Sequence, residues 1–309
     1  MKQTRVLVAG SEKLAVHVAR DLATLTRPRI AVLVAFSAFV GGLLAAGPAA
    51  SLWRVAEAAL WVACAGASAS VLNQVLERDV DRLMKRTENR PLPARRVSVR
   101  DAVLLGAGLA AVGVVGLALR FNLLSALLTL ATLFAYTALY TPLKRVSTLN
   151  TVVGAIPGAA APLLGYVAFA GGASGWGISL FAILFAWQFP HFMAIAWLHR
   201  EDYARAGMRM LPAMPGCERL AGRAAWTYSL ALLPVSILPG VRGDAGIVYT
   251  AGALVLGLVY LLASGRFAWR QDVRSARTLL YVSLVYLPVL YLLILSDPIV
   301  GVGALYGRS

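Results

Sequence analysis

Three oxygen-bearing side chains, Asn73, Glu77 and Asp81, recur at four-residue steps where an apolar stretch gives way to charge. On a helix each step turns about 40°, so the three stack along one stripe. Asp79 falls off that stripe and faces elsewhere. Carboxylates a turn apart repel unless a cation sits between them. Mg²⁺ suits such a site, because it takes a few carboxylates and completes its shell with water and phosphate oxygens. Arg86 and Arg90 repeat the same spacing, and a guanidinium fork matches the oxygens of a phosphate or carboxylate. A solvated loop of mixed charge, with the arginines against lipid headgroups, would read similarly. Two features favour the site: Asn73 lies inside the apolar run, where an amide needs a partner, and the preceding Ala65-Gly66-Ala67-Ser68-Ala69-Ser70 lets helices approach closely.

A second group follows Trp187-Gln188-Phe-Pro190-His191-Phe192, with Glu201 and Asp202 just beyond an apolar span and His191 inside it. An imidazole there is either a hydrogen-bonded core group or one that binds a metal or moves a proton. Between the groups lies Tyr136-Thr-Ala-Leu-Tyr140-Thr-Pro142-Leu-Lys144-Arg145, whose proline ends a span and delivers two basic side chains to its edge. Pro157 and Pro162 are expected to break the next helix, which a membrane tolerates where protein or a water-filled cavity receives the freed carbonyls. Cys64 and Cys217, far apart, read as packing residues.

The elements that must position these groups follow from composition. Of 309 residues, 59% are hydrophobic and 14% charged, against about 25% charged in ordinary soluble domains, and the mean hydropathy is +0.73. Apolar stretches at 28–47, 53–75, 100–119, 122–141, 151–170, 177–198, 224–240, 245–264 and 278–296 are long enough to cross a bilayer, the seventh being short. The charged residues before the first span argue against a signal peptide. The net charge of +15 would point to nucleic acid in a soluble chain. Here 25 of the 29 Lys and Arg fall between alternate spans, which places the N-terminus in the cytosol and leaves nucleic acid unneeded. The expected fold is all-α: a polytopic membrane protein of nine transmembrane helices around a central cavity open to the cytosol. It forms one domain over 1–309, with a cytosolic segment 1–27 and an extracytoplasmic tail 297–309.

A charged mouth above an apolar interior fits a substrate with an anionic head and a greasy tail, such as an isoprenyl diphosphate. Mg²⁺ and arginines would neutralise charge growing on the leaving diphosphate, and the apolar cavity would keep water from the allylic cation.

The stretch Asn73 to Pro93 resembles the aspartate-rich first motif of the UbiA-type intramembrane prenyltransferases, and the nine spans fit their architecture. The segments Glu77-Arg-Asp79-Val-Asp81, Arg86-Thr-Glu-Asn-Arg90-Pro91-Leu92, Tyr140 to Arg145, Trp187 to Phe192 and Asp202-Tyr-Ala-Arg-Ala-Gly207 are similar to the branch that farnesylates heme. Glu77 stands where the wider family commonly has Asp. The resemblance implies farnesyl diphosphate and heme B as substrates, with Mg²⁺ accompanying the diphosphate. It implies a metal set of Asn73, Glu77, Asp81 and Asp202, and a diphosphate grip by Arg86, Arg90, Lys144 and Arg145 beside Tyr140. Arg27 and Arg29 match a basic motif at the mouth of the first span. Asn73, Asp81 and His191 become the catalytic candidates, His191 facing the heme as iron ligand or proton carrier. Also implied are a bacterial cytoplasmic membrane and a downstream heme-modifying enzyme or terminal oxidase. A quinone-precursor prenyltransferase and an ion-coupled transporter using the broken fifth helix are the alternatives.

Overall fold

A computed structural model describes residues 16–47 and 51–300. The expected segments 1–27 and 297–309 lie partly outside those residues. Among the described residues nine helices are long and apolar enough to span a membrane: α1 Pro28–Ala46, α2 Leu52–Asp81, α3 Val99–Arg120, α4 Leu123–Leu143, α5 Asn150–Ala170, α6 Gly175–Leu198, α7 Glu218–Val241, α8 Ile247–Arg270 and α9 Val273–Ser296. A short helical stretch, 16–26, precedes α1. The protein is a multi-pass membrane protein.

Three of these helices, α2, α5 and α6, are more than half buried, and the other six present most of their surface outward. Close approach in the centre depends on small residues, since lipid gives helices no hydrophobic reason to associate. A methyl group on Gly41 would overlap the carbonyl of Pro162, and one on Gly165 the carbonyl of Ala38, so the backbones of α1 and α5 touch. The second half packs otherwise: α7, α8 and α9 enclose a cluster of large side chains that includes Tyr249, Tyr260, Phe267 and Tyr286, and lean on α6.

Two expectations need correction. The fifth helix is not broken, because Asn150–Ala170 runs continuously through Pro157 and Pro162; the neighbouring helices close around it. The seventh span is full length, its charged first turns at Glu218 to Arg223 having masked its start. A cavity lies among α1, α2, α4, α5 and α6 and the segments that follow α2, α4 and α6.

Candidate active site

The charged stripe exists because α2 continues for 30 residues without Gly or Pro beyond Gly66, carrying its helix past the apolar stretch to Asp81. Asn73, Glu77 and Asp81 are all buried and all line one cavity of about 470 Å³. Asp79, off the stripe, is exposed beside Arg78 and Arg82. The loop after α2 is held down by its own apolar and hydroxyl groups. Met84 packs with Val80, Ala196 and Met208, Leu92 packs with Leu25 and Val71, and the Thr87 hydroxyl donates to Asp81 O at 2.9 Å. That fold of the loop puts Arg90 against Asp81 (Nη1 to Oδ2, 2.8 Å) and leaves Arg86 at the rim.

The opposite wall comes from α4, whose stretch Ala135–Tyr140 is π-helical. Such wider turns are frequent at functional sites, and here the turn keeps Tyr136, Tyr140 and Lys144 on one face of the cavity. Thr141 accommodates it by donating to Tyr136 O at 2.9 Å while accepting from Asn73 Nδ2 at 3.0 Å. Lys144 reaches across to Glu77 (Nζ to Oε1, 2.8 Å) and lies 4.4 Å over the Tyr140 ring. Burial alone would lower the Lys144 pKa, but Tyr140 and Glu77 outweigh it and raise it, so the ammonium stays charged. Burial pulls the Arg90 pKa down, opposed by Asp81.

On the third side, α6 turns Trp187, Gln188 and His191 inward, and Trp187 and His191 stack with ring centres 4.7 Å apart. Below the charged groups the wall is Val62, Ala65, Gly66, Ala161 and Leu164. Asp81 and Val62 are both on it, so the cavity follows α2 for about 28 Å at the helical rise.

The structure therefore brings together Asn73, Glu77, Asp81, Arg86, Arg90, Tyr140, Lys144 and His191. It leaves out three others. Asp202 sits on the short helix Arg200–Arg205 and pairs with Arg205, three residues on, at 3.1 Å, while its neighbour Tyr203 lines the cavity. Arg145 is exposed, since adjacent residues at a helix end point about 100° apart and Lys144 holds the inward position. Arg29 is exposed too, and Arg27 lines the cavity in its place. Arg27 is left-handed (φ 49°) at the joint between 16–26 and α1, a joint tied down by Gln74 Nε2 donating to Leu25 O at 2.8 Å. Thr129 and Thr132 were not anticipated. Their spacing with Tyr136 inside an apolar span was the available signal, but both hydroxyls are spent on their own helix.

Among the described residues no three His, Cys, Asp or Glu converge as a metal cage. The mouth instead offers a buried carboxylate oxygen, Asp81 Oδ1, with no partner among those residues, on the same stripe as Glu77 and Asn73. That donor set fits a cation that brings much of its shell as water and phosphate oxygen.

Fold and site together define a membrane-embedded protein with paired charges at the mouth of an apolar cavity. Residues 34–295 match the UbiA prenyltransferase family. A protoheme IX farnesyltransferase of Solibacter usitatus is 43% identical over 289 residues, covering 90% of this chain and 98% of its own length. Another, of Marinobacter nauticus, is 40% identical over 287 residues, covering 92% and 94%. A UbiA homolog from Archaeoglobus fulgidus, solved bound to GPP and Mg²⁺, superposes with a TM-score of 0.66 over 88% of this chain and 99% of that one, at 20% identity, a likeness of fold. The chain belongs to the UbiA prenyltransferase family, and it is a prenyltransferase.

Proposed function

We propose that the enzyme transfers a farnesyl group from farnesyl diphosphate, with addition of water, to a vinyl group of heme B, giving heme O and diphosphate. It would work as one transmembrane domain of a bacterial cytoplasmic membrane, with its N-terminus and the mouth of the cavity in the cytosol. The observation that carries this reading is the two ion pairs, Glu77–Lys144 across the cavity and Asp81–Arg90 at its mouth, above an apolar slot into which His191 projects. The names of the relatives at 43% and 40% identity support the choice of farnesyl donor and heme acceptor.

In this reading Lys144, Arg90, Arg86 and Arg27 take the diphosphate oxygens, a role suited to forked and point cations. Asn73, Glu77 and Asp81 would hold Mg²⁺, which supplies positive charge against the leaving diphosphate. The farnesyl chain lies along α2 against Ala69, Gly66 and Val62, where no water competes for the allylic cation. Tyr136 and Tyr140 present ring faces to that cation, and the Tyr140 ring already accepts one, Lys144. The bond from the allylic carbon to diphosphate breaks, that carbon bonds to the terminal vinyl carbon of heme B, and water adds to the inner vinyl carbon with loss of a proton. The product would pass to a heme-modifying enzyme or a terminal oxidase.

The test is incubation of purified protein with heme B, 4-hydroxybenzoate, farnesyl diphosphate and Mg²⁺, read by mass spectrometry. A hydroxyfarnesylated porphyrin is expected. Prenylation of the benzoate alone would make the enzyme a quinone-precursor prenyltransferase.

A further inference from the structure

No side chain of α7, α8 or α9 lines the cavity, yet α9 reaches its wall through one residue, Ser283. Ser283 Oγ lies 2.8 Å from His191 Nδ1. Ser283 is fully buried, and its Oγ also donates to Leu280 O at 2.6 Å. A hydroxyl has one proton and two lone pairs. When that proton goes to Leu280, Oγ is left to accept from the imidazole, and the hydrogen sits on Nδ1. The other nitrogen, Nε2, keeps its lone pair and has no partner among the described residues.

The ring is fixed by more than this bond. Trp187 stacks on it at an interplanar angle of 20°, and Trp187 Nε1 donates to the carbonyl of the same Ser283 at 2.9 Å. Tyr260, on α8, donates its hydroxyl to Trp187 O at 2.9 Å. One residue of α9 thus holds both members of the Trp187–His191 pair, and the second half of the bundle acts on the cavity through it.

We infer that Ser283 is a positioning residue. It fixes His191 in the Nδ1–H tautomer and so presents the Nε2 lone pair to the cavity as an axial ligand for the iron of heme B, not as a proton donor. The iron-ligand part rests on the heme reading above, whereas the tautomer does not. Histidines that bind metals commonly donate their other ring N–H to an oxygen, which sets the tautomer and raises basicity. Ser283 supplies that oxygen.

The experiment is ¹⁵N NMR of histidine-labelled full-length protein in detergent near neutral pH. The chain has three histidines, His17, His191 and His199, and His191→Gln assigns the resonance. The expected result is a protonated Nδ1 and an unprotonated Nε2 in the wild type, with the Nε2 signal displaced when heme B is added. Ser283→Ala should give a mixture of tautomers and weaken heme B binding about tenfold or more, with Mg²⁺-dependent binding of farnesyl diphosphate unchanged. Ser283→Thr, which keeps the hydroxyl, should restore the single tautomer. A proton on Nε2 in the wild type overturns the proposal, whether or not Ser283→Ala folds, and so does a Ser283→Ala protein that retains the Nδ1–H form. If the tautomer depends on Ser283 but heme B does not bind, the heme reading fails and the iron-ligand role falls with it.

Discussion

The two ends of α2 carry carboxylates in opposite electrostatic situations. At its start, Glu57 has both oxygens occupied: Oε1 by Arg120 and Oε2 by Arg54, each at 2.7 Å. Arg54 also donates to Arg120 O, the last residue of α3, and lies 4.6 Å over the Phe121 ring. This cluster closes on itself and fastens α2 to α3. At the other end, Glu77 and Asp81 each meet one cation brought by another segment, and Asp81 Oδ1 is left buried without a partner among the described residues. A buried acceptor is costly to leave unmade. The contrast separates a staple from a site: a carboxylate with both oxygens engaged holds helices, and one with an oxygen in reserve beside a cavity can bind.

The largest effect that would break this contrast belongs to Asp81→Asn. It should lower Mg²⁺-dependent turnover by at least about a hundredfold, while the amide oxygen still accepts from Arg90 and the protein stays folded in detergent, as size-exclusion chromatography would show. Next comes Arg90→Lys, which keeps charge but loses the fork. Its Michaelis constant for farnesyl diphosphate should rise about tenfold, the worth of one charge-assisted hydrogen bond; steady-state kinetics would read it. Asp202→Asn sharpens the comparison further. Because its carboxylate is engaged by Arg205 outside the cavity wall, its loss of turnover should be far smaller than that of Asp81→Asn, and an equal loss would return Asp202 to the metal set. Smallest of all, Glu57→Gln should lower the melting temperature slightly and leave kcat and KM as in the wild type. A fall in kcat would mean that the staple also shapes the cavity.

Much of this was legible in the sequence because periodicity and membrane length are strong constraints. The nine spans, the stripe of Asn73, Glu77 and Asp81, and the exclusion of Asp79 all follow from spacing on a helix. What spacing could not give was direction at helix ends. Arg145 and Arg29 stand one and two residues from inward-facing Lys144 and Arg27, and which of each pair turns inward is decided by the π-helical turn before Lys144 and the left-handed joint at Arg27. The direction of Asp202 was hidden for a similar reason, since the break at His199 and the short helix after it set it. The continuity of α5 through two prolines was also invisible, because whether a proline breaks a helix or only removes a hydrogen bond from it depends on the packing around that helix and not on its own segment. Ser283 could not have been found at all. It lies 92 residues from His191 in an ordinary apolar span, and only packing joins them.

Calorimetric titration of a non-hydrolysable farnesyl diphosphate analogue into the purified protein, with and without Mg²⁺, puts the reserve oxygen of Asp81 to the test. Tight binding that needs Mg²⁺ in the wild type and disappears in Asp81→Asn is the predicted result. Equal affinity with and without the ion, or in the wild type and the variant, would contradict it.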